Sequence, residues 1–288
     1  MRAQRRLLGA VALVAILAAA ACGPPPPAPA AAPLRILITN DDGIEAPGIR
    51  ALALALRPLG RVTVAAPSGN RSGASHGVTS DKPIAVTERA AEDVRWLSID
   101  AMPATCVRLA VERLLADPPD VVLSGINSGE NLGTVTFYSA TVGAAREAAL
   151  LGLPALAVNL AAANGADYGT AAAVTAGLLR ALLPGGIARG TFLNVNIPAL
   201  PRERLRGIRI TRQDTRAPID LYDKATGPDG SPVFLPRWEH LEPAAADTDI
   251  WAVRNGYVSV SVFGIDQSAA APPAALLTLK RLESLPLR

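Results

Sequence analysis

Residues 34–48 of this chain read LRILITNDDGIEAPG. An apolar, β-branched run stops abruptly at two adjacent acids, and glycine and Ala-Pro-Gly follow. The run alternates too little for a half-exposed strand, so it reads as a buried strand of a parallel sheet. Pro47 suits the first turn of a helix, which leaves Asn40, Asp41, Asp42 and Gly43 on a strand-to-helix loop. In an open α/β sheet such loops lie at the carboxyl ends of the strands, where ligands bind. Two neighbouring carboxylates there repel each other unless a proton or cation stands between them. Oxygen ligands suit a hard divalent cation such as magnesium, manganese or calcium. The plain alternative is a turn, since Asn-Asp-Asp-Gly is also good loop chemistry.

Ahead of this strand the chain reads as a targeting segment. Arg2, Arg5 and Arg6 precede an apolar run over residues 7–21, which ends in small residues before Cys22. That is a secretory signal pattern, and the run is short for a membrane-spanning helix. Ala19-Ala20-Ala21-Cys22 resembles the lipobox of bacterial lipoproteins, although leucine is usual where Ala19 stands. The pattern favours a lipoprotein facing the periplasm or exterior, with membrane contact through lipid on Cys22. Ordinary secretion comes second and an uncleaved anchor third. Residues 22–33 then form a Pro/Ala-rich tether of polyproline character.

Without the three leader arginines, Lys+Arg and Asp+Glu balance at 25 each. The basic balance of the whole chain therefore says little about nucleic acid, and no arginine-rich stripe supports duplex binding. Cys22 and Cys106 are the only cysteines, so there is neither a disulfide framework nor a zinc cluster. Cys106 falls in a helical stretch and reads as a small core residue. With only His76 and His240, and no nucleophile-elbow sequence, a catalytic triad is disfavoured. A dinucleotide fold is disfavoured too, because the first turn is not glycine-rich.

About 255 residues remain, enough for one large α/β domain with an appendage. Strand-like runs at 35–39, 61–65, 96–99, 121–124, 155–158 and 192–196 alternate with helix-like segments near 47–57, 105–116, 141–151 and 170–182. This predicts a doubly wound, mainly parallel, Rossmann-like sheet with helices on both faces. Residues 207–254 change character and, with a late strand at 257–263, read as a β-rich extension that can act as an arm on another subunit.

Three further loops follow predicted strands. Residues 67–79, PSGNRSGASHGVT, offer hydroxyls, backbone amides and the fork of Arg71, a set that suits phosphate. Residues 124–133, SGINSGENLG, offer the amide oxygen of Asn127 to a cation already held by carboxylates. Tyr138-Ser139-Ala140-Thr141 opens a helix that Ser139 or Thr141 caps, leaving amides and a dipole for an anion. Each has a bland reading as a flexible loop, an Asx-turn or a simple cap. Converging on one crevice, they suit a metal-bound phosphate ester.

The segments ILITNDDGIEAPGI, VAAPSGNRSGASHGVT, VVLSGINSGENLG and YSATVGAAREAALLG resemble the SurE family, survival-protein E metallophosphatases or 5′/3′-nucleotidases. The likeness extends from about Leu34 to Phe263, including TDIWAVRNGYVSV. It implies hydrolysis of nucleoside monophosphates, in some members also polyphosphate, with a divalent metal (Mg2+ or Mn2+). The implied metal ligands are Asp41, Asp42, Ser72 and Asn127. Asp41 and Asp42 are also the implied catalytic pair, Asp41 as nucleophile or as base for a water. Arg71, Ser139 and Thr141 are the candidates for gripping the phosphate. The family further implies a homodimer or homotetramer with exchanged C-terminal β arms. Two departures stand out. Ala140 occupies a usual glycine position, where a positive φ would strain a methyl-bearing residue. Met102 and Thr105 replace a usual threonine and aspartate, with Thr105 expected to cap the helix instead. These departures keep open a second reading, an exported module that binds nucleotides or phosphate without turnover.

Overall fold

A computed structural model of the chain describes residues 33–162, 167–182, 185–216, 219–239 and 244–268. The stretches read as a signal segment and tether, through residue 32, lie outside the described residues, with Cys22 and His240. The described residues from Leu34 onward belong to one compact unit. β1 (Leu34–Thr39), β2 (Gly60–Pro67), β4 (Val94–Ile99), β5 (Val121–Ser128), β6 (Ala155–Ala161) and β7 (Thr191–Pro198) run parallel in the spatial order β4-β2-β1-β5-β6-β7. The chain moves outward from β1 to β2 and β4, then returns to β5 on the other side of β1. That reversal opens a crevice between β1 and β5 at their carboxyl ends.

Both faces are covered, which is why these strands are apolar nearly throughout. Helices α1 (Pro47–Leu56) and α4 (Tyr168–Leu182) cover one face, burying Ile49, Leu52, Leu56, Ala172 and Leu179 against Ile36, Ile38, Val64 and Val195. Helices α2 (Pro103–Leu109) and α3 (Ala140–Leu150) cover the other with smaller residues, Cys106, Val107, Ala144, Ala145 and Ala148, against Leu37, Leu97 and Val122. A wider turn over Ala110–Leu114 continues α2.

The sheet has nine strands, and the edges are where the sequence was least explicit. β3 (Val86–Ala91) adds an antiparallel edge to β4; all six of its residues are exposed, so no hydrophobic alternation marks it. β11 (Val258–Gly264) lies antiparallel to β7, and β8 (Ile208–Thr211) lies parallel to β11. Much of the expected extension is therefore part of the main sheet. Only β9 (Ile219–Thr226) and β10 (Pro232–Glu239) form a separate antiparallel pair, and helix α5 (Asp249–Arg254) leads into β11.

The Ala-Pro-Gly start of α1 has a packing reason. Pro47 is the first helical residue, and a Cβ at Gly48 would stand 2.1 Å from the Ile126 carbonyl oxygen and 3.0 Å from the Tyr168 ring. Glycine thus lets α1 approach the end of β5 closely enough to hold the Asp41–Asp42 loop against it. Gly48→Ala should push the helix off the strand, destabilising the protein by about 1–3 kcal/mol in denaturant titration. An unchanged unfolding midpoint would show that the approach is not tight.

Candidate active site

The loop after β1 places Asp41 in the crevice almost entirely out of solvent, at 3% exposure. Its Oδ1 accepts a 2.5 Å hydrogen bond from the Thr141 hydroxyl. Thr141 lies in the first turn of α3, so the helix N-terminus already receives a protein carboxylate. Burial, with Asp42 adding like charge, pushes the Asp41 carboxyl up to about 6 against the pull of Thr141. Asp42 is half-buried; burial raises its carboxyl too, and its Oδ2 accepts from the Ser128 amide at 3.1 Å. The loop is closed from within by Asn40 Nδ2 donating to the Gly43 carbonyl.

The neighbouring loops converge as the strand order requires. The Arg71 amide donates to the Asp41 carbonyl at 2.7 Å, which ties the loop carrying Ser72 to the loop of the acid pair. Ser72 is exposed, and its amide donates to Asn70 Oδ1. Arg71 gives one Nη to Asp100 at 3.0 Å, while its Nε is buried without a partner. Asn127 sits at a register shift in β5; its Nδ2 donates to the Gly129 carbonyl, leaving Oδ1 as the end offered to a cation. At the ends of β1 and β5 the paired residues Thr39 and Ser124 bury hydroxyls with no partner, as does the Asn40 amide oxygen.

This donor set fits a hard cation. Two carboxylates forced together out of water, with neutral amide and hydroxyl oxygens around them, need a positive charge among them. Among the described residues no three of His, Cys, Asp or Glu cluster, so a cation here would rest on two carboxylates and neutral oxygens.

Three expectations change. The Thr141 hydroxyl, expected at the phosphate, donates to Asp41 in this structure and orients that acid. Ser139 is the cap of α3, accepting from the Val142 amide at 3.2 Å, so the helix end has fewer spare amides than the sequence suggested. Thr105 does not cap α2, whose N-cap is Met102; its hydroxyl accepts instead from the Thr79 amide, and Thr79 Oγ1 accepts from the Met102 amide. Ala140 is harmless: it is the first residue of α3, buried, and not among the positive-φ residues, so its methyl strains nothing.

Several groups that shape the site escaped the sequence. His76 Nε2 lies 2.7 Å from Glu147 on α3, and Arg108 on α2 reaches the same carboxylate at 2.5 Å. Burial pushes Glu147 up, but His76 and Arg108 outweigh it and hold the carboxyl below its ordinary value. A Cβ at Gly143 would meet the Ser75 carbonyl at 2.5 Å, so the Arg71–Ser72 loop lies directly on α3. Beyond Asn127, the buried side chains of Asn131, Asn159, Asn194 and Asn196 bond one another and the Asn131 backbone at 2.6–3.1 Å, fixing the loop after β5. The signal was present as asparagines in otherwise apolar strands, but nothing local showed that they meet.

A crevice at a topological switch point, lined by a buried acid pair and neutral oxygens, marks an α/β protein with its ligand site at the carboxyl ends of the strands. The family model for survival protein SurE matches residues 36–219, and the chain belongs to that family. It is 43% identical over 237 residues to a protein named 5′-nucleotidase SurE of Heliobacterium modesticaldum, covering 81% of this chain and 87% of that one. It is 47% identical over 239 residues to the 5′/3′-nucleotidase SurE of Cronobacter sakazakii, covering 82% and 92%. The crystal structure of the SurE protein from Aquifex aeolicus superposes with a TM-score of 0.76 at 39% identity, covering 86% of this chain and 99% of that one.

The raised Asp41 carboxyl sets a pH dependence. Its folded value of about 6 exceeds the unfolded 3.8, so folding takes up a proton between these values. Stability of the metal-free protein should therefore fall as pH rises through that window, by about 3 kcal/mol in all, with the whole penalty present above it. Asp41→Asn should remove that slope in denaturant titrations run with EDTA. The same slope in both proteins would place the charge penalty elsewhere.

Proposed function

We propose that this protein is a divalent-metal-dependent phosphatase that hydrolyses nucleoside monophosphates, in the 5′ and 3′ positions, to nucleoside and phosphate. The observation that carries this reading is the buried Asp41 carboxylate, oriented by Thr141 beside Asp42, at the crevice where the Asn127 and Ser72 loops meet. Asp41, Asp42, Asn127 and Ser72 would hold the cation, with Mg2+ or Mn2+ favoured by an all-oxygen donor set. When bound, such an ion neutralises phosphate charge and lowers the pKa of a water.

The chain's own groups supply the rest. Thr141 fixes Asp41 in one orientation, so that its second oxygen is free to take a proton from an attacking water or to attack phosphorus itself. Arg71, held on one side by Asp100, turns its remaining donors to the phosphate oxygens. Ser139 uses its oxygen lone pair on the cap and keeps its hydroxyl hydrogen for the substrate. The partner we infer for the protein is a second copy of itself: Tyr222, Phe234 and Leu235 on β9 and β10 are 57–62% exposed, and such a pair of strands is suited to packing on another subunit.

Phosphate release from a panel of nucleotides tests the activity. Turnover should vanish on exhaustive EDTA treatment and return with manganese or magnesium. Asp42→Asn should lose roughly 100-fold or more in kcat/KM and most of the manganese-induced rise in Tm. Hydrolysis that survives chelation would defeat the proposal.

We also propose export with a lipid anchor, on the strength of the arginine-led apolar run and Cys22. Cys22→Ser should shift the protein from the membrane fraction to the soluble fraction. Unchanged membrane association would point to an uncleaved anchor.

A further inference from the structure

Arg146 lies on α3, five residues beyond Thr141 and therefore about 140° around the helix from it. Its guanidinium carbon stands 5.9 Å from the centre of the Phe192 ring, which stacks on Phe263 at 5.5 Å. Nε is buried and bonds to nothing. Among the described residues no carboxylate pairs with this guanidinium, and burial alone drives its pKa down. The group borders a cavity of about 390 Å3 that Thr136, Phe137, Gln213, Asp266 and Gln267 also line.

The guanidinium is half-buried, with its Nε shut away from water; among the described residues it has no counter-ion, and an aromatic face compensates a desolvated cation only in part. The nearby groups do not complete it. Gln213 Nε2 is committed to the Gly133 carbonyl and to Thr136 Oγ1. The one carboxylate on the wall, Asp266, accepts from the Ser268 amide and forms no ion pair with Arg146. Arginine's planar fork matches two oxygens of a phosphate or carboxylate. Thr136 and Phe137 belong to the turn that runs into Ser139, so a ligand here would also brace the approach to the catalytic crevice.

We propose that Arg146 anchors a second oxyanion site, distinct from the Asp41–Asp42 centre, that accepts a small phosphate-class anion in this cavity. The assignment does not depend on the phosphatase reading. It is tested on the full chain in EDTA, with inorganic phosphate as the probe and chloride at matched ionic strength as the control. Phosphate should raise the Tm of the parent by about 2–4 °C over chloride. Arg146→Met should have an equal or higher Tm in chloride, because it removes an uncompensated charge, and should show no phosphate response. Gln267→Glu, which brings a carboxylate to the same wall, should raise the Tm in chloride and abolish the phosphate response; it stands in if the methionine variant does not fold. Absence of a phosphate effect in the parent overturns the proposal. So does an effect of equal size in the parent and the variants, which would belong to the acid-pair crevice. A marked loss of stability in Arg146→Met without any phosphate dependence would show that Asp266 is the real counter-ion, and would overturn it as well.

Discussion

The bond from Thr141 to Asp41 joins the two halves of the crevice. One side comes from the loop after β1, the other from the first turn of α3, exactly one hundred residues later in the chain. A carboxyl so deeply buried is eased by the Thr141 hydroxyl and the helix N-terminus that face it, and burial still raises its pKa. The rest of the site is arranged around this charge. Asp42 reaches across to the Ser128 amide, and the Arg71 amide closes on the Asp41 carbonyl. The first contact joins the ends of β1 and β5, neighbours only because the chain reverses its course across the sheet there, and the second joins the ends of the consecutive strands β1 and β2.

Rigidity behind this centre comes from two polar assemblies of opposite kinds. The asparagine network that joins β6 and β7 to the loop after β5 is neutral, so it fixes the Asn127 loop without adding charge near the acid pair. The Glu147 cluster is ionic and stands further back, tying the loop that carries Arg71 and Ser72 to α3 through His76, with Arg108 from α2 on the other oxygen. Losing His76 would leave a buried carboxylate with one partner fewer, and breaking such a pair costs more than forming it gains. A third tie comes from the C-terminal part of the chain. Asp249 accepts from the Gly133 and Asp214 amides, and burial raises its carboxyl despite those bonds. The segment beyond β7 is thereby bonded to the turn that delivers Ser139, which links any surface formed by β9 and β10 to the catalytic side of the sheet.

The sequence determined the strand-helix alternation, the parallel sheet and the acid pair, because each depends on local pattern. Short unbroken apolar runs rich in β-branched residues favour strands covered on both faces, and a helix start at Ala-Pro-Gly puts the two acids ahead of it on the connecting loop. It could not determine which partners the polar side chains take. Thr141 reads as a cap or a phosphate donor until the fold sets Asp41 against it. Thr105 reads as a cap until Thr79 arrives. Glu147 reads as one more helix-surface acid until His76 and Arg108 enclose it. Nor did the exposed residues of β3 carry any periodicity that would mark them as a strand. Hydrogen-bond partners separated by tens of residues follow from strand order and helix packing, and those distances exist only in the tertiary structure.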